Sequence, residues 1–510
     1  MACWLKRSAR SVGILVWKKN GIHMRRKYIN GAKPSISSVY SFHQRRYFEA
    51  HLNTSTMSPA VNYNNVLIHQ RADPQIVRHT DGWYYFTASV PEYDRVILRR
   101  SETIRGLSDA EEVTVWTRAD SNAGVGYVWA PELHYIDEKW YIYFALGRAA
   151  PFDIRMFVIE GTGENALNAD WVEKGFITSD WDTFSLDATT FVVKGTRYLC
   201  WAQSDPNWQN GVGTGLMLAP MENPWSIRKP AIVITRPELP WERTGHNVNE
   251  GAYVLERNGK LFLTYSASAT DHNYAMGLLT ADADADLMDP TSWRKSQEPV
   301  FTSNAQTSQW GPGHSAFTVS EDGLSDLLVF HARQYKEIEG EPLNNPDRHT
   351  RIQKLYWNAD GTPNFGIPVA DGETPSRLLS SANSTQYIRH NEQGVVTVEA
   401  DIGFLGENLF RIVRPGLAGK DAVSIESASQ PGSFLRVSGS TIEIHPNDNS
   451  TEFGTSSSFV HREGLSDPKG VSFEVGKDSG LYIASDSNGL RVVSIGDIEG
   501  RLDVATFYKE

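Results

Sequence analysis

The sequence predicts an all-β protein, a five-bladed β-propeller followed by a β-trefoil. Two recurrences and one absence point there. A strand–turn–strand pattern returns five times between Ala72 and Arg333. A second, shorter pattern returns three times between Tyr387 and Ile483. Nowhere in the chain does a long apolar stripe of helical period appear.

The first 48 residues differ in kind from the rest: they hold eleven Lys or Arg and no Asp or Glu. The whole chain carries −12, so subtracting the leader's +11 leaves about −23 on the remainder. An acidic body argues against a nucleic-acid partner. The Arg- and Ser-bearing, acid-poor leader has the composition of an organellar transit peptide, and its apolar piece Ser11–Trp17 is too short for a secretory signal. Residues 1–57 are read as a disordered basic leader, or as untranslated sequence ahead of a true start at Met57.

Residues 58–370 hold the first recurrence. Its five units begin in A-D-P-Q-I-V-R, A-P-E-L-H-Y-I, L-D-A-T-T-F-V-V, N-E-G-A-Y-V-L-E-R and G-H-S-A-F-T-V-S. Each continues through a turn into an aromatic or apolar strand. Tyr84, Tyr141, Tyr198, Phe262 and Leu328 align in those second strands, at intervals of 57, 57, 64 and 66 residues. One four-stranded blade per period is a radial repeat. The first strands then surround a channel, and the polar residues leading them, Asp73, Glu132, Asp187, Glu250 and His314, converge at one level. Crowding carboxylates raises their energy and calls for a purpose. Glycoside hydrolysis supplies one: a protonated acid for the leaving oxygen, an ionised base for water, and a third carboxylate to raise the acid's pKa.

The set resembles glycoside hydrolase family 43, five-bladed propellers acting on arabinan and xylan side chains. The matching motifs are R-A-D-P, W-A-P-E-L, S-L-D-A-T-T-F, N-E-G-A-Y, G-P-G-H-S and F-H-A-R, in that order between Arg71 and Arg333. The resemblance implies Asp73 as general base, Glu250 as general acid and Asp187 as the group that tunes and orients Glu250. It implies that His314 contacts a structural cation such as calcium in the channel, often through water, with no cofactor required for the chemistry. Arg333 falls near the pocket, Trp129 is a candidate sugar platform, and Glu132 a binding or wall residue. The family inverts the anomeric centre, which sets base and acid about 6.5–9.5 Å apart.

Residues 371–510 hold the second recurrence. Tyr387-Ile388-Arg389, Phe434-Leu435-Arg436 and Leu481-Tyr482-Ile483 follow one another at 47 residues, the period of a trefoil lobe. The phrases S-I-E-S-A-S-Q-P-G-S-F-L-R and T-S-S-S-F-V-H-R-E-G-L resemble the arabinose-binding domain of arabinofuranosidase B, carbohydrate-binding module family 42. By that resemblance His390, with Glu399 or Asp401, binds arabinofuranose in the first lobe. Val437 and Ala484 replace the histidine in the other two, although Asp448 remains. The alternative is a trefoil kept as a structural partner of the propeller.

Together the two resemblances imply an inverting exo-acting α-L-arabinofuranosidase releasing terminal arabinofuranosyl residues from arabinan. A β-xylosidase or mixed-specificity hydrolase, or a non-catalytic arabinan-binding protein, are the other readings. The implied partner is arabinan or arabinose-decorated cell-wall polysaccharide, met by a monomer. Such a substrate implies an extracellular site. No apolar run is long enough to span a bilayer, so no membrane role is expected. With only Cys3 and Cys200 there is no disulfide framework. The 15 Trp, 20 Tyr and 21 Phe suit both propeller cores and sugar stacking.

Overall fold

A computed structural model describes residues 61–207, 213–400, 405–486 and 489–510. The leader expected over 1–57 lies outside them. The described residues are all-β, with one short α-helix, Thr451–Ser456, and a few single 3-10 turns.

Five antiparallel four-stranded units follow one another. The first comprises Ala72–Arg78, Tyr84–Ser89, Arg95–Ser101 and Val113–Thr117, the second Val128–Ile136, Lys139–Gly147, Ile154–Thr162 and Asp170–Phe176. The third comprises Ser185–Val193, Thr196–Gln203, Gly213–Asn223 and Ile232–Thr235. The fourth has Asn247–Arg257, Lys260–Ala267, Ala275–Asp282 and Arg294–Lys295, the fifth Trp310–Val319, Asp326–Arg333, His349–Trp357 and Pro363–Asn364. The first strand of each unit lies against those of its neighbours, and that of the fifth against that of the first. The ring is fastened by the segment ahead of the first unit. Asn65 imitates a strand partner there: its side-chain Nδ2 donates to the Ile352 carbonyl (2.8 Å), and its Oδ1 accepts the Ile352 amide (2.9 Å).

Consecutive units enclose apolar cores. Val96, Leu98 and Trp116 meet Trp140, Phe144 and Phe157 between the first and second. Tyr143 and Val158 meet Leu199 and Trp201 between the second and third. Phe262 and Met276 meet Leu328 and Phe330 between the fourth and fifth. Each such side chain taken out of water contributes about 1.5–3 kcal/mol. The second strands are therefore buried on both faces, as in Tyr84–Ser89. That erases the in–out alternation that would fix their register.

Each first strand carries a bulge against its second strand, and one residue of each bulge has left-handed backbone: Asp73 (φ 54°), Ala130 (45°), Asp187 (55°), Gly251 (58°) and His314 (46°). These are the equivalent positions. The expected set of polar leaders is thus corrected at two points. Glu132 stands two residues beyond its unit's left-handed Ala130, and Glu250 one residue before Gly251. The alignment of second strands needs the same repair: counted from the bulge, Tyr85 and Leu327, not Tyr84 and Leu328, match Tyr141, Tyr198 and Phe262. A bulge adds an unpaired residue and leaves no mark in an apolar pattern.

Beyond residue 371 three hairpins recur, Gln386–His390 with Val396–Ala400, Ser433–Ser438 with Thr441–Pro446, and Leu481–Asp486 with Gly489–Ser494. Three further strand pairs join Leu378–Ser380 to Phe507–Lys509, Phe410–Val413 to Ser424–Ser427, and Val460–Glu463 to Val471–Glu474. All three repeats feed one core through Ile388, Leu435 and Ile483. The third repeat is thus shifted by one residue from the expected 47-residue register. Strand Asn64–Asn65 pairs with Gly372–Glu373. The Arg377 guanidinium lies over the rings of Tyr356 (4.4 Å) and Tyr387 (4.2 Å) and reaches the Glu510 carboxylate at 3.0 Å. These contacts join the C-terminal region to the fifth unit.

Candidate active site

The left-handed bulges turn polar side chains toward one another at the start of the first strands. Asp73 is buried. Ser89 donates to its Oδ2 at 2.6 Å and Arg348 Nη1 to its Oδ1 at 3.2 Å, while His314 Nδ1 lies 3.3 Å from Oδ1. Its backbone amide donates to His331 Nδ1 at 3.0 Å. Because His331 Nδ1 accepts that proton it carries none itself, so the 3.4 Å approach of His331 Nδ1 to Asp73 Oδ1 is no ion pair. Burial agrees, lowering the His331 imidazole to about 3. Burial alone would raise Asp73, but the Arg348 guanidinium, with His314 adding to it, outweighs it and holds the carboxyl well below its usual range.

Asp187 is buried too, and its Oδ2 accepts the Gly251 amide at 3.0 Å and lies 3.9 Å from His314 Nδ1. Burial, then the charges of Glu250 and Asp73, push its carboxyl well above the usual range. Glu250 accepts from the Tyr274 hydroxyl at Oε1 (2.9 Å). Burial pushes it up to about 7, with the Asp73 charge adding to the effect and Tyr274 and Arg348 opposing it. Asp187 and Glu250 repel each other's charge, so at neutral pH the pair favours holding a proton. Asp73 beside them stays ionised. One base and one proton-bearing acid in a common pocket is the arrangement acid–base chemistry needs.

Gly251 is required on two grounds: its backbone is left-handed, and a Cβ there would come within 3.0 Å of the His314 ring. The His314 imidazole is lowered by burial, against the raising influence of Asp73. The protein groups on its Nδ1 side are Asp73 and Asp187. Among the described residues no group of three or more His, Cys, Asp or Glu is arranged to hold a metal ion. A cation here would therefore depend on His314 and water rather than on a protein cage, and no step of the chemistry is routed through one.

Other expected site residues are placed differently. Arg333 is buried and its donors are spent on loops: Nε to Asn345 Oδ1 (3.0 Å), Nη1 to the Thr270 carbonyl (2.6 Å) and Nη2 to the Pro342 carbonyl (2.8 Å). It braces the pocket wall, and Arg348 is the arginine that reaches Asp73. Trp129 is also buried, stacked on Tyr127 at 5.2 Å and edge-on to Tyr93 and Phe152. The exposed member of that aromatic group is Phe152. Glu132 pairs with His134 Nε2 at 2.9 Å, as a wall residue would.

The sugar contact expected of His390 is not supported by its surroundings. It is 1% exposed, its Nε2 bonds Ser427 Oγ (2.7 Å) and its Nδ1 faces the Asn391 carbonyl (3.0 Å). Both ring nitrogens are thereby engaged within the domain. Glu399 lies 3.8 Å from Arg389, which is held more closely by Glu407. Asp448 is exposed and closes a turn onto the Ser450 amide (2.8 Å). Asp401 lies outside the described residues.

Arg348, Tyr274, His331 and Ser89 escaped the sequence reading as site residues. The repeat pattern marks first strands, and these four sit elsewhere. The one available signal was Arg348, a charge directly ahead of the strand His349–Trp357.

A model of the glycosyl hydrolases family 43 matches residues 63–363, and one of the "Alpha-L-arabinofuranosidase B (ABFB) domain" matches 375–508. The chain is 60% identical over 416 residues to "Alpha-L-arabinofuranosidase B" of Pyricularia oryzae, covering 81% of this chain and 85% of that one. It is 57% identical to "Alpha-L-arabinofuranosidase 43" of Humicola insolens, covering 89% and 96%. To the "Extracellular exo-alpha-(1->5)-L-arabinofuranosidase" of Streptomyces avermitilis it is 50% identical, covering 90% and 94%. Among solved structures, an alpha-L-arabinofuranosidase from Lactobacillus brevis superposes with a TM-score of 0.58 at 50% identity, covering 61% of this chain and 98% of that one. With a family match spanning more than half its length, and relatives this similar over most of theirs, the chain belongs to glycosyl hydrolases family 43.

Proposed function

We propose that the protein is an inverting α-L-arabinofuranosidase that releases terminal α-L-arabinofuranosyl residues from arabinan or arabino-oligosaccharides. The single observation that carries this reading is the carboxylate trio at the head of the first strands: buried Asp73 bonded to Arg348 at 3.2 Å and so favoured ionised, beside buried Asp187 and half-buried Glu250, which are pushed toward the protonated state. Relatives at 50–60% identity bear arabinofuranosidase names, and those from Streptomyces are named extracellular, which favours the same location here.

Asp73 is the general base. Its oxygens meet Ser89, Arg348 and His314, which leaves one of about four lone-pair positions for the attacking water. Glu250 is the general acid, giving its proton to the departing sugar oxygen. Asp187, tied to the amide of Gly251, orients that strand and shares the pair's proton with Glu250, whose own rise comes from burial and the charge of Asp73. No covalent intermediate is needed.

The finer architecture belongs to the same proposal: residues 58–370 form a five-bladed propeller and 371–510 a trefoil. The cyclic adjacency of first strands and the three hairpins at near-equal spacing support it. The engaged His390 and the contacts through Arg377 and Glu510 favour the trefoil as a structural partner of the propeller.

The test is turnover of p-nitrophenyl α-L-arabinofuranoside, p-nitrophenyl β-D-xyloside and linear arabinan, with products identified. Arabinose from the first and third, with little xylose, is expected. Xylose as the dominant product would overturn the sugar assignment.

A further inference from the structure

Tyr274 is 1% exposed and lies directly ahead of the strand Ala275–Asp282. Its hydroxyl donates to Glu250 Oε1 at 2.9 Å, and among the described residues it has no second hydrogen-bond partner. Its ring stacks on the neutral His331 at 5.7 Å and 10° between planes. Its other neighbour is Gly313, where a Cβ would come within 2.5 Å of the ring. The phenol is therefore fixed in position and has one acceptor. A hydroxyl with one acceptor must give its proton there, so Oε1 cannot also carry the acid proton toward it.

We propose that Tyr274 is a positioning residue that selects which oxygen of Glu250 bears the proton, reserving Oε2 for the leaving group. This rests on the acid role of Glu250 proposed above. The groups facing Glu250 are the carboxylates of Asp187 and Asp73, the Arg348 guanidinium and the Tyr274 phenol, with His314 against both aspartates and neutral His331 behind Tyr274. Of these, Tyr274 is the one hydrogen-bonded to Glu250.

Tyr274→Phe removes the donor and keeps the stacked ring. Donation to the ionised form favours ionisation, so its loss moves the alkaline limb of the arabinan pH profile upward, by about half to one pH unit. With the proton free to occupy either oxygen, kcat on arabinan falls about tenfold or more while KM changes little. An aryl arabinoside, whose leaving group needs little protonation, loses far less. Site-specific replacement of Tyr274 by difluorotyrosine, a stronger donor of the same shape, moves the limb downward and keeps the test open if Tyr274→Phe folds poorly. Difference infrared spectroscopy of the full chain reads the same effect without turnover: a protonated-carboxyl band lost in Glu250→Gln titrates higher in Tyr274→Phe. An unmoved band and limb, with equal losses on both substrates, overturn the positioning role. A moved band in a protein inactive on arabinosides would instead overturn the function and leave the positioning intact.

The structure also assigns two N-glycosylation sites, on independent grounds. Asn383-Ser384-Thr385 and Asn449-Ser450-Thr451 are the two Asn-x-Ser/Thr sequences among the described residues, and both asparagines are exposed in irregular segments of the C-terminal region. Thr385 Oγ1 already donates to Asn383 Oδ1 at 2.8 Å, the hydroxyl–amide pairing the sequence motif provides. In the transfer, the C1–O bond between an oligosaccharide and its lipid-diphosphate donor breaks, C1–Nδ2 forms, and the amide loses one proton. The family 43 region offers no such sequence among its described residues, so both glycans would stand away from the pocket. Full-length protein secreted from a yeast host, deglycosylated by amidase in heavy-oxygen water and mapped by mass spectrometry, should yield labelled aspartate at 383 and 449. Asn383→Gln and Asn449→Gln should each lower the secreted mass by one glycan. Unlabelled asparagine at both positions overturns the assignment.

Discussion

The roles of Asp73 and Glu250 separate by leaving group. Glu250→Gln keeps the shape and removes the proton donor. It should cut arabinan turnover by about 10²–10⁴-fold and affect an activated aryl arabinoside far less. Asp73→Asn should damage both substrates alike, since both need an activated water. The pH profile follows from the same charges. Asp73 stays ionised well below ordinary carboxylate values, so the acid limb lies low, and activity falls on the alkaline side near pH 7 as Glu250 loses its proton. Stability moves in the same direction for Glu250. Its folded value, about 7, lies above the ordinary 4.5, so its favourable contribution is present below 4.5 and is lost as pH rises through 7. Thermal denaturation should therefore find Glu250→Gln more stable than the parent at pH 8, with the difference shrinking at pH 5. Equal melting shifts at both values would show that Glu250 is not strained by its charge. Such a strained acid is a common cost of an active site.

Gly251 is the clearest case at the level of the element. Gly251→Ala places a Cβ on left-handed backbone and about 3 Å from the His314 ring. Loss of about 1–3 kcal/mol of stability is expected, with reduced activity because the amide that holds Asp187 shifts. Urea unfolding checks the first and turnover the second; a neutral substitution would remove the bulge from the mechanism. The bulges also explain what the sequence displayed and what it hid. Asp73, Asp187 and Glu250 were legible because each lies within three residues of a recurrent strand start. The exact register was not. A one-residue insertion at each bulge moved the equivalent positions to Ala130 and Gly251, neither of which carries a functional group. Tyr274 and Arg348 belong to no repeated position, and only their contacts give them a role.

At the scale of the whole molecule, the apolar cores between consecutive units and the shared core of the C-terminal region were legible as periods, because each repeat buries equivalent strands. The fate of His390 was not. Its place after Tyr387-Ile388-Arg389 matched a binding motif, yet the strand directs it inward to Ser427. His390→Ala should accordingly lower the melting temperature of the C-terminal region, with about 1–3 kcal/mol lost from the broken buried hydrogen bond, and leave retention on arabinan unchanged. Weakened retention with unaltered melting would restore a sugar contact.

The central claim is that water, activated by Asp73, attacks while Glu250 protonates the departing oxygen, in one displacement. Proton NMR of an α-linked arabinofuranoside reaction, recorded before mutarotation, tests it most directly. The first product should be β-L-arabinose. Release of the α anomer would contradict direct attack by water and with it the roles of both carboxylates.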